Sequence, residues 1–384
     1  MDFIPYGRQE ISEEDISKVV EVLRSPFITQ GPVVGEFESL LTKYVGVRFA
    51  VAVNSATSAL HAACLSLGLS KNDYVWTSPI TFLASANCAL LAGANVDFVD
   101  IDPKTYNLCS EALEEKLLTA QKEGKLPKIV IPVHFAGQSC DMAKIHELSL
   151  KYGFRIIEDA SHAIGGKYLQ SRVGSCKYSD ITVFSFHPVK IITTGEGGVA
   201  VTNCASLAEK MKLFACHGMT RDKKLQKRQQ EGAWCYDQIE LGYNYRMTDI
   251  HAALGVSQLS RLDGYISRRH ELFRSYEAKM REFPIILPYQ SMDCYSALHL
   301  FPIKIKDKTS RKRIFNQLRE KGIGVNVHYI PVYKHTFYSK LGFPLDYLPE
   351  AEKYYEGAIT LPIYPGLTEV QVDYIVSNLE RALG

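Results

Sequence analysis

Residues 184–198 read FSFHPVKIITTGEGG, and the place of Lys190 in that run decides how the rest of the chain is read. A β-rich stretch at 181–186 leads into it, and a glycine-rich turn leads out to a second β-rich stretch at 198–202, so the lysine follows a strand end. Outward from there, β-rich runs recur at 48–53, 74–78, 95–101, 128–135 and 155–160. Helical periodicity lies between most of them, at 58–67, 81–91, 110–123, 141–152 and 205–217, often stopped by Gly68, Gly124, Gly153 or Gly218. Seven strands alternating with helices predict an α/β fold: a large, mostly parallel sheet covered by helices on both faces.

Before this region, Ser12 followed by Asp15 has the form of a capping box, opening a helix whose apolar positions are Ile16, Val19, Val20 and Leu23. After it, residues 248–282 keep helical periodicity without an intervening strand, which marks a bridge between two units. A strand near 296–305, a helix over 310–321, a strand near 324–329 and a last helix from Thr368, with Gln371 as box partner, predict a smaller α+β domain. The expected division is a large domain over 1–247 and a small one over 248–384, entered by the long helix.

Composition narrows the functional classes. Hydrophobic residues at 46% and charged residues at 22% are ordinary for a soluble globular chain. Forty-four basic residues against forty-two acidic ones give a net charge of +2, so no global field selects nucleic acid or an anionic membrane. Nine cysteines without a CxxC pair argue for reduced thiols and against a disulfide framework or a zinc site, and no metal is expected. No leader-like start and no apolar run of about 18 residues is seen, so a cytoplasmic location is expected.

A lone lysine after a strand is ordinarily a solvated surface residue. Its meaning changes beside RIIEDASHAIG at 155–165, which sets Asp159 at the carboxyl edge of another strand, where open α/β sheets bind ligands. A desolvated amine is available for Schiff-base chemistry with an aldehyde, and a partly buried carboxylate can hold a proton on a pyridine nitrogen. Alone, Asp159 could equally cap the next turn. NSATSALHAACLSLG at 54–68 turns from strand to helix near Thr57, where free backbone NH groups and the Thr57 and Ser58 hydroxyls make a cradle for a phosphate. Serine and threonine also cap helices for structural reasons, and this motif gains weight from the other two.

NSATSAL, TSPITFLASAN, EDASHAIG, FSFHPVKIITTGEGG, GYNYRMTDIHAALG and VHYIPVY follow one another between Asn54 and Tyr333, and in this order they resemble the DegT/DnrJ-type sugar aminotransferases of fold-type I. The resemblance implies pyridoxal 5'-phosphate (PLP) as cofactor and an obligate homodimer with shared active sites. It makes Lys190 the Schiff-base lysine and proton carrier, and Asp159 the partner of the pyridine nitrogen. Phe82 would stack on the ring and His162 would contact the ring or its phenolic oxygen. Thr57, Ser58 and Ser185 would bind the phosphate, with Asn244 reaching across from the partner subunit. Tyr6, Arg246, His328 and Tyr329 would face the substrate. His187 reads as support for the strand end.

Some relatives carry histidine in place of the lysine and dehydrate; Lys190 places this chain with those that transaminate. NSATSALH, DASHAIG, FSFHPVK, ELGYNYR and HYIPVYKHTFYSKLG most resemble the branch serving pseudaminic acid biosynthesis, which implies a UDP-linked 4-keto-6-deoxy sugar as acceptor and L-glutamate as donor. Other UDP-, GDP- or dTDP-keto sugars remain open. A non-catalytic PLP-binding regulator would need a basic recognition module, which the balanced charge does not suggest. A Rossmann dehydrogenase would need GxGxxG after the first strand, which is missing.

Overall fold

The structure is a computed structural model that describes residues 2–226 and 232–384. Its central sheet has seven strands: β1 (Phe49–Val53), β2 (Tyr74–Thr77), β3 (Asn95–Phe98), β4 (Ile129–Ile131), β5 (Arg155–Asp159), β6 (Ile181–Ser185) and β7 (Gly198–Thr202). Their order is β1-β7-β6-β5-β4-β2-β3. Only β7 is reversed: it pairs antiparallel with β1 and β6, while the remaining pairs are parallel.

Both faces of this sheet are buried, and the two-residue period of the strands divides their side chains between them. From β1, Val51 and Val53 join a cluster with the helices α3 (Ala56–Ser66), α4 (Ala84–Leu91) and α7 (Ala205–Ala215), counting helices in chain order. Ala50 and Ala52 join the opposite cluster with Phe37, Leu41 and Val45 of α2 (Pro32–Val45) and Ala252 of α8 (Asp249–Leu259). A third cluster lies under α5 (Ser110–Glu123) and α6 (Met142–Tyr152). β7 begins on glycine for a steric reason: a Cβ at Gly198 would stand 2.4 Å from the Ala56 amide nitrogen. That close approach brings the first turn of α3 against the β6–β7 connection that carries Lys190.

The remaining elements differ in places from the sequence reading. Helix α1 (Glu13–Leu23) has its capping box, but Ile16 and Leu23 are exposed while Asp15 and Val22 are buried. A polar contact explains the rotation: Asp15 accepts from Gln258 at 2.8 Å and from Arg261 at 2.5 Å, so α1 docks on α8 through charge. Helix α2 was not anticipated, although Pro32 opens it, Gly46 closes it and Phe37, Leu41 and Val45 recur at helical spacing; Asp249 caps it from outside through the amides of Gly31, Val33 and Val34.

The bridging stretch is two helices, α8 and α9 (Leu262–Met280), broken at Ser260 and Arg261. Leu262, Tyr265 and Ile266 pack in the α2–α8 cluster, whereas Leu272, Phe273, Tyr276 and Met280 belong to a separate core that also includes Ile4, so α9 spans both. That second core surrounds the antiparallel strands β8 (Ile285–Ile286), β9 (Phe301–Ile305) and β10 (Ala358–Leu361) with α10 (Arg311–Glu320) and α12 (Glu369–Leu383). β10 and the helix before it, α11 (Pro349–Gly357), had no sequence reading. The strand expected at 324–329 is only Ile323–Gly324, paired with Ile4–Pro5; Asn326 makes an isolated antiparallel bridge to Thr360 of β10, and Asn326–Tyr329 line a cavity. This pairing also fixes Tyr6, whose carbonyl accepts from the Ile363 amide at 3.1 Å. Among the described residues, no helix is long and apolar enough to cross a membrane.

Candidate active site

A cavity of about 570 Å³ opens at the carboxyl ends of the parallel strands, where such sheets bind ligands. Lys190, Asp159, His162, Ser185, Thr57, Phe82, Tyr6, His328 and Tyr329 all line it, so the structure brings together nine of the residues singled out from the sequence. Three others lie elsewhere. Ser58 is buried and turns its hydroxyl to Asn54 Oδ1 at 2.6 Å; the cradle is formed by Ser55, Ala56 and Thr57. Asn244 pairs through its backbone with Cys216 and accepts from Asn54 Nδ2. Arg246 donates to Cys216 Sγ and is bridged to Val53. Neither Asn244 nor Arg246 lines the cavity of its own chain.

Lys190 is held by the turn that joins β6 to β7. Its amide donates to the His187 carbonyl at 2.9 Å, and Phe186 closes the turn by donating to Gly197 at 3.0 Å and accepting from Thr194 at 3.0 Å. Gly195 takes a left-handed conformation there, φ +79°, which a side chain would strain. Desolvation pushes the Lys190 amine down from 10.5 to about 8, against the upward pull of Asp159. Asp159, the last residue of β5, is buried and held at both oxygens: Ser85 Oγ donates to Oδ2 at 2.6 Å and the Ser161 amide donates to Oδ1 at 3.1 Å.

The imidazoles around the amine are kept neutral. Burial, followed by the charges of Lys190 and His328, holds His162 well below the usual histidine range. Burial and Lys190 push His328 down to about 3. His162 Nε2 meets the Tyr329 hydroxyl at 3.1 Å, and burial raises that phenol far above its ordinary value. His328 Nδ1 meets Thr360 Oγ1 at 2.9 Å. Phe82 is 60% exposed because its ring projects into the open cavity, 6.5 Å from that of Tyr329.

Three features of this wall fit the group that the sequence suggests. The amides at the first turn of α3 have no intrahelical acceptors, and the Ser55 hydroxyl caps only Ser58, leaving those of Ala56 and Thr57 to face an anion. His162 Nδ1 is buried without a hydrogen-bond partner, as expected of an atom that awaits one from a ligand. An amine with a lowered pKa and a carboxylate held by two donors share the same space. Sequence reasoning missed Ser55, Ser161, Ser85, Glu196, Asn326 and His335; the fold brings Ser85, Asn326 and His335 to the cavity or to Asp159, whereas Ser161 meets Asp159 in a local turn. Ser55 and Ser161 had local signals, the N-cap position before a helix and the turn that Asp159 can cap.

A model of the DegT/DnrJ/EryC1/StrS aminotransferase family matches residues 9–380. The chain belongs to that family. It is 38% identical over 379 residues to the UDP-4-amino-4,6-dideoxy-N-acetyl-beta-L-altrosamine transaminase of Campylobacter jejuni, with 98% of this chain and 96% of that protein covered. Among solved structures it superposes on Helicobacter pylori PseC, an aminotransferase involved in the biosynthesis of pseudoaminic acid, with a TM-score of 0.91, 32% identity and coverage of 100% and 99% of the two chains. It superposes as well on the PLP-form of the sugar aminotransferase Spr1654 from Streptococcus pneumoniae, with a TM-score of 0.89, 30% identity and full coverage of both, 100% and 100%. Fold-type I architecture and aminotransferase chemistry follow from this family membership.

Proposed function

We propose that this aminotransferase moves the amino group of L-glutamate onto C4 of UDP-2-acetamido-2,6-dideoxy-β-L-arabino-hexos-4-ulose, yielding UDP-4-amino-4,6-dideoxy-N-acetyl-β-L-altrosamine for pseudaminic acid synthesis. The observation that carries the reading is Lys190: an amine brought down to about 8 by burial, at the end of a strand and within the cavity that also holds Asp159.

PLP is the cofactor in this reading, and when bound it supplies an electron sink for the carbon that gains or loses nitrogen. Lys190 is the residue that would hold it covalently, and its amine, when free, would carry the proton to and from the reacting substrate carbon. Asp159 holds the proton on the ring nitrogen. The Ala56 and Thr57 amides, with the Thr57, Ser55 and Ser185 hydroxyls, bind the phosphate at the start of α3. Phe82 supplies a ring face, and neutral His162 offers a hydrogen bond to the cofactor while tied to Tyr329. Tyr6, His328 and Tyr329 orient the sugar from the wall where Tyr6 and Tyr329 pack against the cluster of Phe135, Leu300 and Tyr354. Asn244 and Arg246, which lie outside their own cavity, serve the partner subunit of a homodimer.

Glutamate leaves as 2-oxoglutarate in the first half of the cycle. In the second, the C4 carbonyl oxygen departs as water and C4 keeps one nitrogen and one hydrogen, so the face from which Lys190 returns the proton fixes the configuration. The test is a panel of UDP-, GDP- and dTDP-linked 4-keto-6-deoxy sugars with L-glutamate, followed by mass spectrometry of the amino sugar. Product from the UDP-linked N-acetylated L-sugar alone is the expected result; product from dTDP sugars alone overturns the choice of acceptor.

A further inference from the structure

The wall between Thr81 and Ser85 does more than present Phe82. Ser85 is completely buried in the first turn of α4, and its Oγ lies 2.6 Å from Asp159 Oδ2 and 2.7 Å from Thr81 Oγ1. Proton counting orients this array. The Ser85 hydroxyl has one proton, which goes to Asp159 Oδ2, nearer than the Phe82 carbonyl at 3.3 Å, so Thr81 must donate to Ser85. The other carboxylate oxygen accepts from the Ser161 amide, on the opposite flank of the strand end.

Donors on two separate elements therefore stop the carboxylate from turning about its Cβ–Cγ bond, and each oxygen keeps a further lone pair. Thr81 and Ser85 are both buried, so water cannot replace either bond without opening the wall. Cys88, one turn on, bonds to the Ser85 carbonyl at 3.3 Å and anchors that turn in the core beneath α4. Thr81 and Asp159 line the cavity, whereas Ser85, which joins them, lies behind its wall.

We propose that Ser85, oriented by Thr81, is a positioning residue that aims the Asp159 carboxylate at the ring nitrogen of the bound cofactor and so keeps the proton there. The inference rests on the reading of Asp159 given above. Two consequences separate it from a merely structural role. Loss of the Ser85 hydroxyl acts on kcat and leaves the KM for the sugar nucleotide in place, because Ser85 itself does not line the cavity. It also weakens the positive charge on the ring, which favours protonation of the nearby lysine–cofactor imine and moves the pH midpoint of the cofactor's visible absorbance upward.

The experiment compares holoenzyme of wild type with Ser85→Ala, Ser85→Cys, Thr81→Val and the Ser85→Ala/Thr81→Val double variant, with Asp159→Asn as reference. Ser85→Ala should lower kcat about tenfold at unchanged KM and raise the absorbance midpoint by about half a pH unit, as expected for one hydrogen bond to a charged group. Thr81→Val should give a smaller change in the same direction, on the order of threefold, and the double variant should match Ser85→Ala alone, since Thr81 acts only through Ser85. Ser85→Cys keeps most of the volume with a weaker donor, so an intermediate midpoint guards against an effect of packing. An unmoved midpoint in Ser85→Ala, or independent addition of the Thr81 and Ser85 effects, overturns the inference if Asp159→Asn still shifts the midpoint. If Asp159→Asn is itself silent, the assignment of Asp159 falls instead.

Discussion

The acidity of Lys190 can be tested without any sugar substrate. Burial brings its amine from 10.5 to about 8. At pH 7 roughly one such amine in ten is neutral, against roughly one in three thousand for an ordinary lysine, an advantage of about 300-fold in reactive amine. Apo protein mixed with pyridoxal phosphate and quenched with borohydride at short times should therefore be labelled at Lys190 first. The labelling rate should rise about tenfold per pH unit and level off near pH 8.

The same shift acts on folding. The unfolded chain binds this proton more tightly, so below about pH 8, with both states charged, the folded state bears the full cost of enclosing an ammonium, up to about 3 kcal/mol. That cost shrinks as the pH rises through the folded pKa and is gone near the unfolded one. In urea melts, apo Lys190→Met should be more stable than wild type at pH 7, with the gap closing by pH 10.5. A labelling rate still climbing at pH 10, or label spread evenly over other lysines, would refute the argument.

Replacing Asp249 by alanine leaves the amides of Gly31, Val33 and Val34 without their acceptor at the start of α2, and should cost about 2 to 4 kcal/mol in a denaturant melt. Tyr329→Phe removes the hydrogen bond to His162 Nε2; kcat should fall about tenfold, with little change in melting temperature because the ring contacts remain. If subunits share sites, co-refolding inactive Lys190→Ala with inactive Asn244→Asp should restore up to about a quarter of wild-type activity, one intact site in half of the dimers. No recovery in verified mixed dimers would leave Asn244 without a role across the interface.

The parts of this molecule that could be read from sequence are those with local causes. β1, β5, β6 and β7 are short apolar runs closed by turn residues, and the capping boxes at Ser12 and Thr368 start their helices as read. Helix α2 had a local pattern in Phe37, Leu41 and Val45 that went unread, but its cap, a side chain 218 positions away, had none, and the exposed Ile16 gives no hint that Asp15 is the docking residue of α1. The site divides likewise. Lys190, Asp159 and Thr57 stand at strand or helix ends and announce themselves, whereas Ser85 needs α4 folded against β5 before its hydroxyl means anything. Ser58 and Thr57 are adjacent and chemically similar; only the helix, which turns one inward, separates them.

The reversed strand β7 has one further effect. A parallel neighbour would need a long crossover after β6, whereas the antiparallel one is reached by a short return, so the reactive amine sits on a clasp fastened at both ends to the middle of the sheet. The facing wall at 326–335 is tied to the same body: Val332 and Tyr333 lie in the cluster that holds Ile181 and Val183 of β6, and the Val332 amide donates to the Pro79 carbonyl at 3.0 Å. Both walls of the chamber are thus fastened to one packed body, so diversification of the outer wall for new acceptors falls to the side chains it presents and not to a shift of its backbone.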